Sequence, residues 1–525
     1  MLGARAARQG NWIKYEMKTL IRQATILAMG GPHGDEPFTG DVLIEDRSIA
    51  AISPKLDPVG EASVIDGRDR LVMPGLINGH LHSSEQFFKA RYEKMPLEVW
   101  LLYAYPLLMG PPIPERLLYL RSMLVAIESI RGGVTTICDC FFDPPTLSLD
   151  RLGVVFSAYE AAGLRANVTN SIINIPVLDT LPFARDIVPA ELQALLAGGA
   201  MITGAGYADY CEAAFAAFDG KAGRLRYMIS PSAPQRCTVD LLEACSEMAL
   251  RHRVPFHTHV LETKTQAVTG PDLFGKTLVR YLHDLGLLNR NVTIAHSVWV
   301  DDDDMALMGA ARCSVVHNAI SNQKLGAGVA PLRRLLDAGV AIALGTDGAS
   351  SNDTLRIFDV MRVAALIHAV PGPDYSRWLG AGDILRAATI GGARSAMREQ
   401  ETGSLEVGKR ADLIMLRTDT IAFTPMNDPR KHLVYCENGS SLELVMIDGE
   451  IVLRDGKLTR IDESEILREA CEAVPAYLAD HKRIEERNRV FEPYFAEIHR
   501  RATLRDIGLN RYAGDMPAWP GANRA

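Results

Sequence analysis

The chain has 525 residues, of which 47% are hydrophobic and 23% charged, and its formal net charge is −8. No basic stripe marks a nucleic-acid-binding face, so we expect no nucleic-acid partner. No apolar run is long enough to span a bilayer, and the eight cysteines form no Cys-X-X-Cys pair. These features predict a cytoplasmic globular enzyme or binding protein, long enough for a large domain and a smaller second unit.

The first predicted elements are three short segments of alternating polarity within residues 18–73, a pattern typical of strands. A similar set lies within residues 401–460, where Asp448-Gly449 and Asp455-Gly456 predict hairpin turns. We expect the two sets to form one small β-sandwich that is interrupted by all the residues between them. Residues before Met17 are predicted to be an extension upstream of the first strand.

Between the two sets, residues 74–400 contain short apolar segments that alternate with helical patterns. The segments predicted as strands are 75–82, 133–139, 164–170, 225–230, 254–260, 292–297, 313–319 and 340–348. These repeated units predict an α/β fold, a (β/α)8 TIM barrel, whose functional side chains lie at the carboxyl ends of the strands. A doubly wound open sheet is the alternative, but no glycine-rich phosphate fingerprint follows the first of these strands.

Two segments fit neither unit. The connection 171–224 is too long for a simple link between strands, and loops of that size usually cover functional sites or are disordered. Residues 461–525 form a charged helical tail with an apolar stripe, which predicts a subunit contact or a lid. We therefore expect a homo-oligomer.

Histidines end the first predicted barrel strand, where the sequence reads GHLH. Because successive residues of a strand point to opposite faces, His80 and His82 share one face. Other apolar strands also end in polar residues: the fifth in HTHV, the sixth in His296 and the eighth at Asp347. Leaving such groups buried and unpaired would cost roughly 1–3 kcal/mol each. A shared divalent metal ion would satisfy them, so the sequence predicts a metal site.

Five segments carry a specific combination of motifs: PGLINGHLH, HVLET, AHSVWVDDDDMALM, VVHNAISNQKLGAGVAPLRRLLDAGVAIALGTDGASSND and GSLEVGKRADLIML. Together they resemble the amidohydrolase superfamily, and in particular its cytosine deaminase, S-adenosylhomocysteine deaminase and triazine hydrolase group. The resemblance covers residues 18–460. It implies a metal-dependent hydrolase that acts on a small-molecule substrate.

The resemblance also implies one divalent ion, zinc or alternatively iron(II), bound by His80, His82, His259 and Asp347. The fifth strand alone offers both His257 and His259, and the family's His-X-X-Glu spacing selects His259. His257 is then expected to have a structural role. Binuclear members typically have a carboxylated lysine at the end of strand four, whereas this chain has no lysine or acidic residue there. We therefore expect a single ion.

The implied reaction is hydrolysis of a carbon–nitrogen bond, a deamination or a related reaction, by a metal-bound hydroxide. Glu262 matches the proton-transferring glutamate of the family, and Asp347 would accept the proton of the water. His296 matches the histidine that orients the attacking water or stabilises charge in the intermediate.

The substrate is predicted from departures from the family pattern. Adenosine-type deaminases have a histidine where this chain has Gln235, and a ribose-binding glutamate where it has Leu108 or Met109. We therefore expect a nitrogen heterocycle or aryl compound without ribose, contacted by Gln235, His317 and Trp100. Hydrolysis of an aryl amide or urea is the alternative, and an inactive binding homologue is a third hypothesis.

Overall fold

The computed structural model describes residues 18–57, 60–144, 147–196 and 201–514, so the extension before Met17 lies outside the described residues. The strands within these ranges are Lys18–Ile26 (β1), Phe38–Glu45 (β2), Ser48–Ser53 (β3), Ser63–Asp66 (β4), Arg70–Pro74 (β5), Leu76–His82 (β6), Val134–Phe141 (β7), Arg165–Asn170 (β8), Leu225–Tyr227 (β9), Phe256–Val260 (β10), Val292–His296 (β11), Ser314–His317 (β12), Ala341–Leu344 (β13), Asp347–Gly348 (β14), Leu413–Arg417 (β15), Leu442–Ile447 (β16), Glu450–Arg454 (β17) and Lys457–Leu458 (β18).

The helices within the same ranges are Leu97–Ala104 (α1), Glu115–Arg131 (α2), Leu149–Ala162 (α3), Ala184–Ile187 (α4), Ala190–Leu195 (α5), Gly204–Phe218 (α6), Val239–His252 (α7), Lys264–Phe274 (α8), Leu278–Asp284 (α9), Asp302–Ala310 (α10), Ala319–Lys324 (α11), Leu332–Asp337 (α12), Ile357–Ile367 (α13), Ala381–Arg386 (α14), Gly392–Ser395 (α15), Pro429–Tyr435 (α16), Glu463–Asn488 (α17) and Glu492–Leu504 (α18). Among the described residues, none of these helices is both long and apolar enough to cross a membrane.

Each of the eight predicted barrel segments contains a strand, and these strands run parallel in chain order. One sheet has the order β14-β6-β7-β8-β9 and the other the order β10-β11-β12-β13. A single parallel bridge between Ile229 and Phe256 links the end of the first sheet to the start of the second. All residues of β7, β8, β10, β11 and β12 are buried, as expected for parallel strands covered on both faces.

The N-terminal and C-terminal strand sets lie in one mixed sheet. Its order is β18-β17-β16-β15-β5-β1-β2-β3, with β4 paired to β1. The antiparallel pairing of β5 with β15 joins the two sets across more than three hundred residues of sequence. The predicted hairpin turns are confirmed: Asp448 and Gly449 have positive φ between β16 and β17, and Asp455 and Gly456 do so before β18.

A buried ion pair connects the parallel strands to this mixed sheet. The Arg165 guanidinium on β8 donates to both carboxylate oxygens of Asp412, at 2.6 and 2.8 Å, and to Asp448 at 3.2 Å. Arg165 has no exposed surface. Burial alone would lower the pKa of Arg165, but Asp412 and Asp448 hold it above its usual value.

The two segments that fitted neither predicted unit, the connection 171–224 and the C-terminal tail, both contain helices. The long connection after β8 contains α4, α5 and α6, and residues 197–200 within it lie outside the described ranges. The tail forms α17 and α18, and Phe491, Phe495 and Ile498 bury their side chains against the rest of the chain. The apolar stripe of the tail therefore has a partner surface within its own chain.

We expect Arg165→Met to destabilise the protein strongly, because it leaves the buried carboxylate of Asp412 without its cation. Breaking a buried pair in this way typically costs about 3–5 kcal/mol. The matched control is Arg185→Met, since Arg185 pairs with Asp179 on the surface, where about 0–1 kcal/mol is usual. Urea unfolding followed by circular dichroism measures both, and equal midpoints for the two variants would contradict the assignment.

Candidate metal centre and active site

Side chains from three separate strands converge at the carboxyl ends of the parallel sheets. The Nε2 atoms of His80 and His82 each lie 3.3 Å from Oδ1 of Asp347. The Nε2 atom of His259 lies 3.3 Å from that of His82. The structure thus brings together all four residues that the sequence predicted as metal ligands.

Backbone carbonyl groups orient two of these imidazoles. His82 donates from Nδ1 to the carbonyl oxygen of Cys140 at 2.8 Å, and His259 donates from Nδ1 to that of Ser232 at 2.7 Å. Each bond fixes the tautomer in which Nε2 carries a lone pair. Such outer hydrogen bonds are typical of histidines that bind metal ions.

His257 lies one pleat deeper and supports His80. Its Nε2 atom is 2.9 Å from Nδ1 of His80, so His80 can donate this hydrogen bond while its Nε2 atom faces Asp347. Cys140 also approaches, with its Sγ atom 3.6 Å from Nδ1 of His80. His257 therefore contacts a predicted ligand, in keeping with the structural role expected of it.

Asp347 is held as a carboxylate. Burial alone would raise the pKa of Asp347, but the adjacent imidazoles of His80 and His82 hold it well below its usual value. Its other oxygen, Oδ2, accepts from the Ser321 hydroxyl at 2.6 Å and from the Ser351 hydroxyl at 3.3 Å. These contacts position Oδ1 toward the histidines and keep Oδ2 next to the site.

The two predicted proton-handling residues face each other beside this cluster. Oε1 of Glu262 lies 3.7 Å from Nε2 of His296, which lies 4.0 Å from Oδ2 of Asp347. His296 donates from Nδ1 to Asn322 at 2.9 Å, which leaves Nε2 as the face toward the site. Burial raises the pKa of Glu262, and the nearby His296 opposes part of this effect. A raised pKa suits a carboxyl group that must carry a proton near neutral pH.

The donor set fits a divalent ion. Three imidazole nitrogens and one carboxylate oxygen form the combination that zinc accepts. The three imidazoles lie close enough to share an ion, and Asp347 lies 3.3 Å from two of them. Nε2 of His80 is buried and makes no hydrogen bond to any described residue. A bound cation would satisfy that lone pair and offset the charge of Asp347.

The three predicted substrate contacts, Gln235, Trp100 and His317, are all buried. Gln235 lies in the turn Pro234–Arg236, and its Oε1 atom has no hydrogen-bond partner among the described residues. Trp100 lies on α1, and its ring makes an edge contact with Tyr105. His317 ends β12 and places Nε2 at 3.1 Å from His368, so one of its nitrogens already has a protein partner.

One buried carboxylate near the centre was not singled out from the sequence. Glu85 accepts from the Tyr105 hydroxyl at 2.8 Å and from the Ser350 hydroxyl at 2.6 Å. A Cβ atom at Gly348 would lie 1.7 Å from Oε2 of Glu85, so only glycine fits beside it. Two features of the sequence could have indicated Glu85: its position three residues after His82, and the glycine that directly follows Asp347.

Comparisons with known proteins agree with this arrangement. The model of the amidohydrolase family matches residues 71–452. The chain is 32% identical over 455 residues to a 5'-deoxyadenosine deaminase of Methanosarcina barkeri, covering 86% of this chain and 97% of that protein. It is also 32% identical over 461 residues to a 5-methylthioadenosine/S-adenosylhomocysteine deaminase of Desulforudis audaxviator, again covering 86% and 97%.

Among solved structures, an atrazine chlorohydrolase from Arthrobacter aurescens TC1 complexed with zinc has a TM-score of 0.78. The two proteins are 24% identical, and the match covers 89% of this chain and 100% of that one, which shows a shared fold. The chain is thus a hydrolase with a cluster of potential metal ligands and a TIM-barrel type of catalytic domain. It belongs to the amidohydrolase family.

We expect the purified protein to contain one tightly bound divalent ion per chain. Two other groups of potential ligands lie next to this site among the described residues, His257 with Cys140 and His296 with Asp347, and both would have to share His80. Repulsion between two dications a few Å apart, with no anionic bridge, disfavours a second ion. Mass spectrometry of the metals in the active protein measures the ratio.

The variant His82→Ala should lose this ion, because it removes one of three imidazole ligands. The matched control is His283→Ala, since His283 lies half-exposed beside Asp284, away from the metal centre. Two ions per chain, both required for turnover, would contradict the single site and the structural role of His257.

Proposed function

We propose that this protein is a metal-dependent hydrolase that cleaves an exocyclic carbon–nitrogen bond of a nitrogen heterocycle, with release of ammonia. The observation that carries the proposal is the approach of Glu262 and His296 to the cluster of His80, His82, His259 and Asp347. The names of its relatives, deaminases of adenosine-type compounds, support the same bond type.

The ion proposed for this site is zinc, with iron(II) as the alternative, since the donors are nitrogens and one carboxylate. A bound divalent ion supplies positive charge that acidifies water and stabilises negative charge on oxygen. The protein supplies the remaining groups at fixed positions. His80, His82, His259 and Asp347 would hold the ion, and the hydrogen bonds to their outer atoms would fix its place.

Proton transfer falls to the residues beside the ion. Asp347 is a carboxylate with Oδ2 near His296, so it can accept a proton from an attacking water. Glu262 can donate a proton to a ring nitrogen and then to the departing amine, because burial raises its pKa. The Nε2 atom of His296 lies between these two carboxyl groups and would stabilise charge on the attacked carbon's oxygen.

Gln235 is proposed to contact the polar edge of the substrate. Its buried Oε1 atom has no partner among the described residues and would accept a hydrogen bond from an amine or ring N–H group. Trp100 and His317 are proposed as further contacts. Leu108 and Met109 stand where a ribose-binding glutamate is expected, so this segment presents no carboxylate of its own. We therefore propose a heterocycle without ribose.

We also propose a specific architecture for the whole chain. The Ile229–Phe256 bridge and the pairing of β14 with β6 support one closed (β/α)8 barrel over residues 74–400. The mixed sheet supports a small β-sandwich built from residues 18–73 and 401–460. The helices α17 and α18, which lie within residues 461–525, are proposed as a third unit, the C-terminal tail. A cytoplasmic homo-oligomer remains our proposal for the assembled protein.

The proposal is tested by measuring ammonia release from cytosine, adenine, melamine and 5'-deoxyadenosine. We expect turnover of at least one ribose-free ring, faster than that of 5'-deoxyadenosine. Preference for the nucleoside would contradict the exclusion of ribose. An aryl urea and an aryl amide are included to test the alternative function, hydrolysis of an aryl amide or urea. Release of an aryl amine from these two compounds, with no ammonia released from the heterocycles, would favour that alternative. No turnover by the metal-loaded protein would favour a binding homologue.

We expect Glu262→Gln to retain the metal ion and lose turnover by roughly 10²- to 10⁴-fold, because glutamine keeps the shape but transfers no proton. The matched control is Glu243→Gln, an exposed position on α7. Steady-state rates and metal content are measured on both. Turnover of the Glu262 variant at the rate of the unmodified protein would refute its role.

A further inference from the structure

The C-terminal tail contacts the loops that surround the metal centre. These loops follow β6, β10, β11 and β12, the strands that end in predicted ligands or in His296 and His317. On the loop after β6, His481 of α17 donates to the carbonyl oxygen of Tyr103 at 2.9 Å. Asn488, which is fully buried, accepts from the backbone N–H of Leu108 and donates to its carbonyl oxygen.

The last described residues continue along the same face. Lys264, at the start of α8, donates to the carbonyl oxygen of Thr503 at 2.6 Å. Arg511 donates from Nε to the carbonyl oxygen of Val298 at 3.1 Å, and its own carbonyl oxygen accepts from Val329 at 2.8 Å. The tail therefore bonds to backbone or side chains of four loops, and the first and last of these loops lie more than two hundred residues apart in sequence.

One of these contacts leads to Glu262. Nδ1 of His499, on α18, donates to Oε2 of Glu98 at 3.1 Å. Oε1 of Glu98 accepts from the hydroxyl of Thr263 at 2.8 Å. Thr263 is the residue directly after Glu262, and its hydroxyl also caps α8 by accepting from the backbone N–H of Gln266.

Gln266 closes the connection. Its Oε1 atom accepts from the backbone N–H of Glu262 at 3.0 Å, and its Nε2 atom lies 3.5 Å from Oε2 of the Glu262 carboxylate. Glu98 is 3% exposed, so its charge needs a partner. Burial alone would raise the pKa of Glu98, but hydrogen bonds led by that from His499 hold it below its usual value.

We propose that His499 is a positioning residue: through Glu98, Thr263 and Gln266, the C-terminal tail holds Glu262 in its place beside His296. The proposal rests on the proposed function of Glu262 as the proton-transferring group. A tail that only stabilised the fold would need the apolar contacts of α18, but it would not need a buried hydrogen-bonded pair aimed at the residue next to Glu262. Small displacements of a catalytic group reduce turnover far more than substrate binding.

The test compares His499→Ala, His499→Asn and Glu469→Gln in the full-length, metal-loaded protein. Asparagine places an N–H donor near the position of Nδ1 and should restore the bond to Glu98, whereas alanine removes it. Glu469, also in the tail, pairs with Arg116 on the surface and serves as the control. Activity is assayed on whichever of cytosine, adenine, melamine and 5'-deoxyadenosine the unmodified protein deaminates fastest.

We expect His499→Ala to lower kcat by roughly ten- to a hundredfold with KM and metal content unchanged, and the other two variants to keep normal kcat. In a Glu262→Gln background, His499→Ala should cause no further loss, since it acts through Glu262. Normal kcat in the alanine variant, or an equal loss in the asparagine variant, would overturn the proposal.

Hydrogen exchange of the peptide that contains Glu262, followed by mass spectrometry, provides a readout without substrate. Faster exchange in His499→Ala but not in His499→Asn is expected, and equal exchange in all variants would overturn the positioning role. If Glu262→Gln keeps full turnover, or no compound is deaminated, the proposed function fails, and the exchange result then shows separately whether the tail orders this segment.

Discussion

The structure depends on a buried carboxylate surrounded by imidazoles. Asp347 lies 3.3 Å from both His80 and His82, and all three side chains are largely hidden from water. Removing a carboxylate from water costs several kcal/mol unless it is compensated by charge and hydrogen bonds. The serine hydroxyls on Oδ2 supply part of this compensation, and a divalent cation would supply the rest. The histidines and Asp347 can offset the cost of burying this carboxylate only because the parallel strands that carry them end at the same place.

Backbone strain is also present at the same strand ends. Asp347, His296 and Leu261 have φ values of +62°, +74° and +54°, in the left-handed region that side chains other than glycine, asparagine and aspartate rarely adopt. Each such residue costs on the order of 1–3 kcal/mol and persists only where the surrounding structure enforces it. Asp347 is a predicted metal ligand, His296 faces Glu262, and Leu261 directly precedes Glu262. The chain thus departs from regular strand geometry where side chains must turn toward the centre.

Much of this centre could be predicted because its residues stand at fixed places in short buried strands. The period of two puts His80 and His82 on one face, and the parallel order of the strands brings Asp347 beside them. The hairpin turns at Asp448-Gly449 and Asp455-Gly456 were predictable for a similar reason, since the local sequence specifies the local geometry. Each of these features depends on neighbours in sequence or on a regular repeat.

Contacts made by loops and by the tail had no such repeat to reveal them. Glu85 became visible only when the structure placed Tyr105, Ser350 and Gly348 around it. The partner of His499 is Glu98, four hundred residues earlier, and nothing in the helical pattern of the tail indicates that pairing. In the sequence, His499 was indistinguishable from the histidines of other surface helices.

Residues at the strand ends and residues in the loops differ in how freely they can be replaced when such a protein changes its substrate. Ligands at the ends of strands are constrained by the sheets, whereas the loops that line the site can vary without disturbing them. Loops that vary are also loops that move, and a proton-transferring group on a mobile segment would lose its alignment with the bound substrate. Here the tail bonds to four of these loops. In three of them it reaches backbone groups of the loop, which are present whatever side chains the loop carries, and in the fourth it bonds to Lys264. A tail of this kind can therefore hold Glu262 in place while the residues that select the substrate differ.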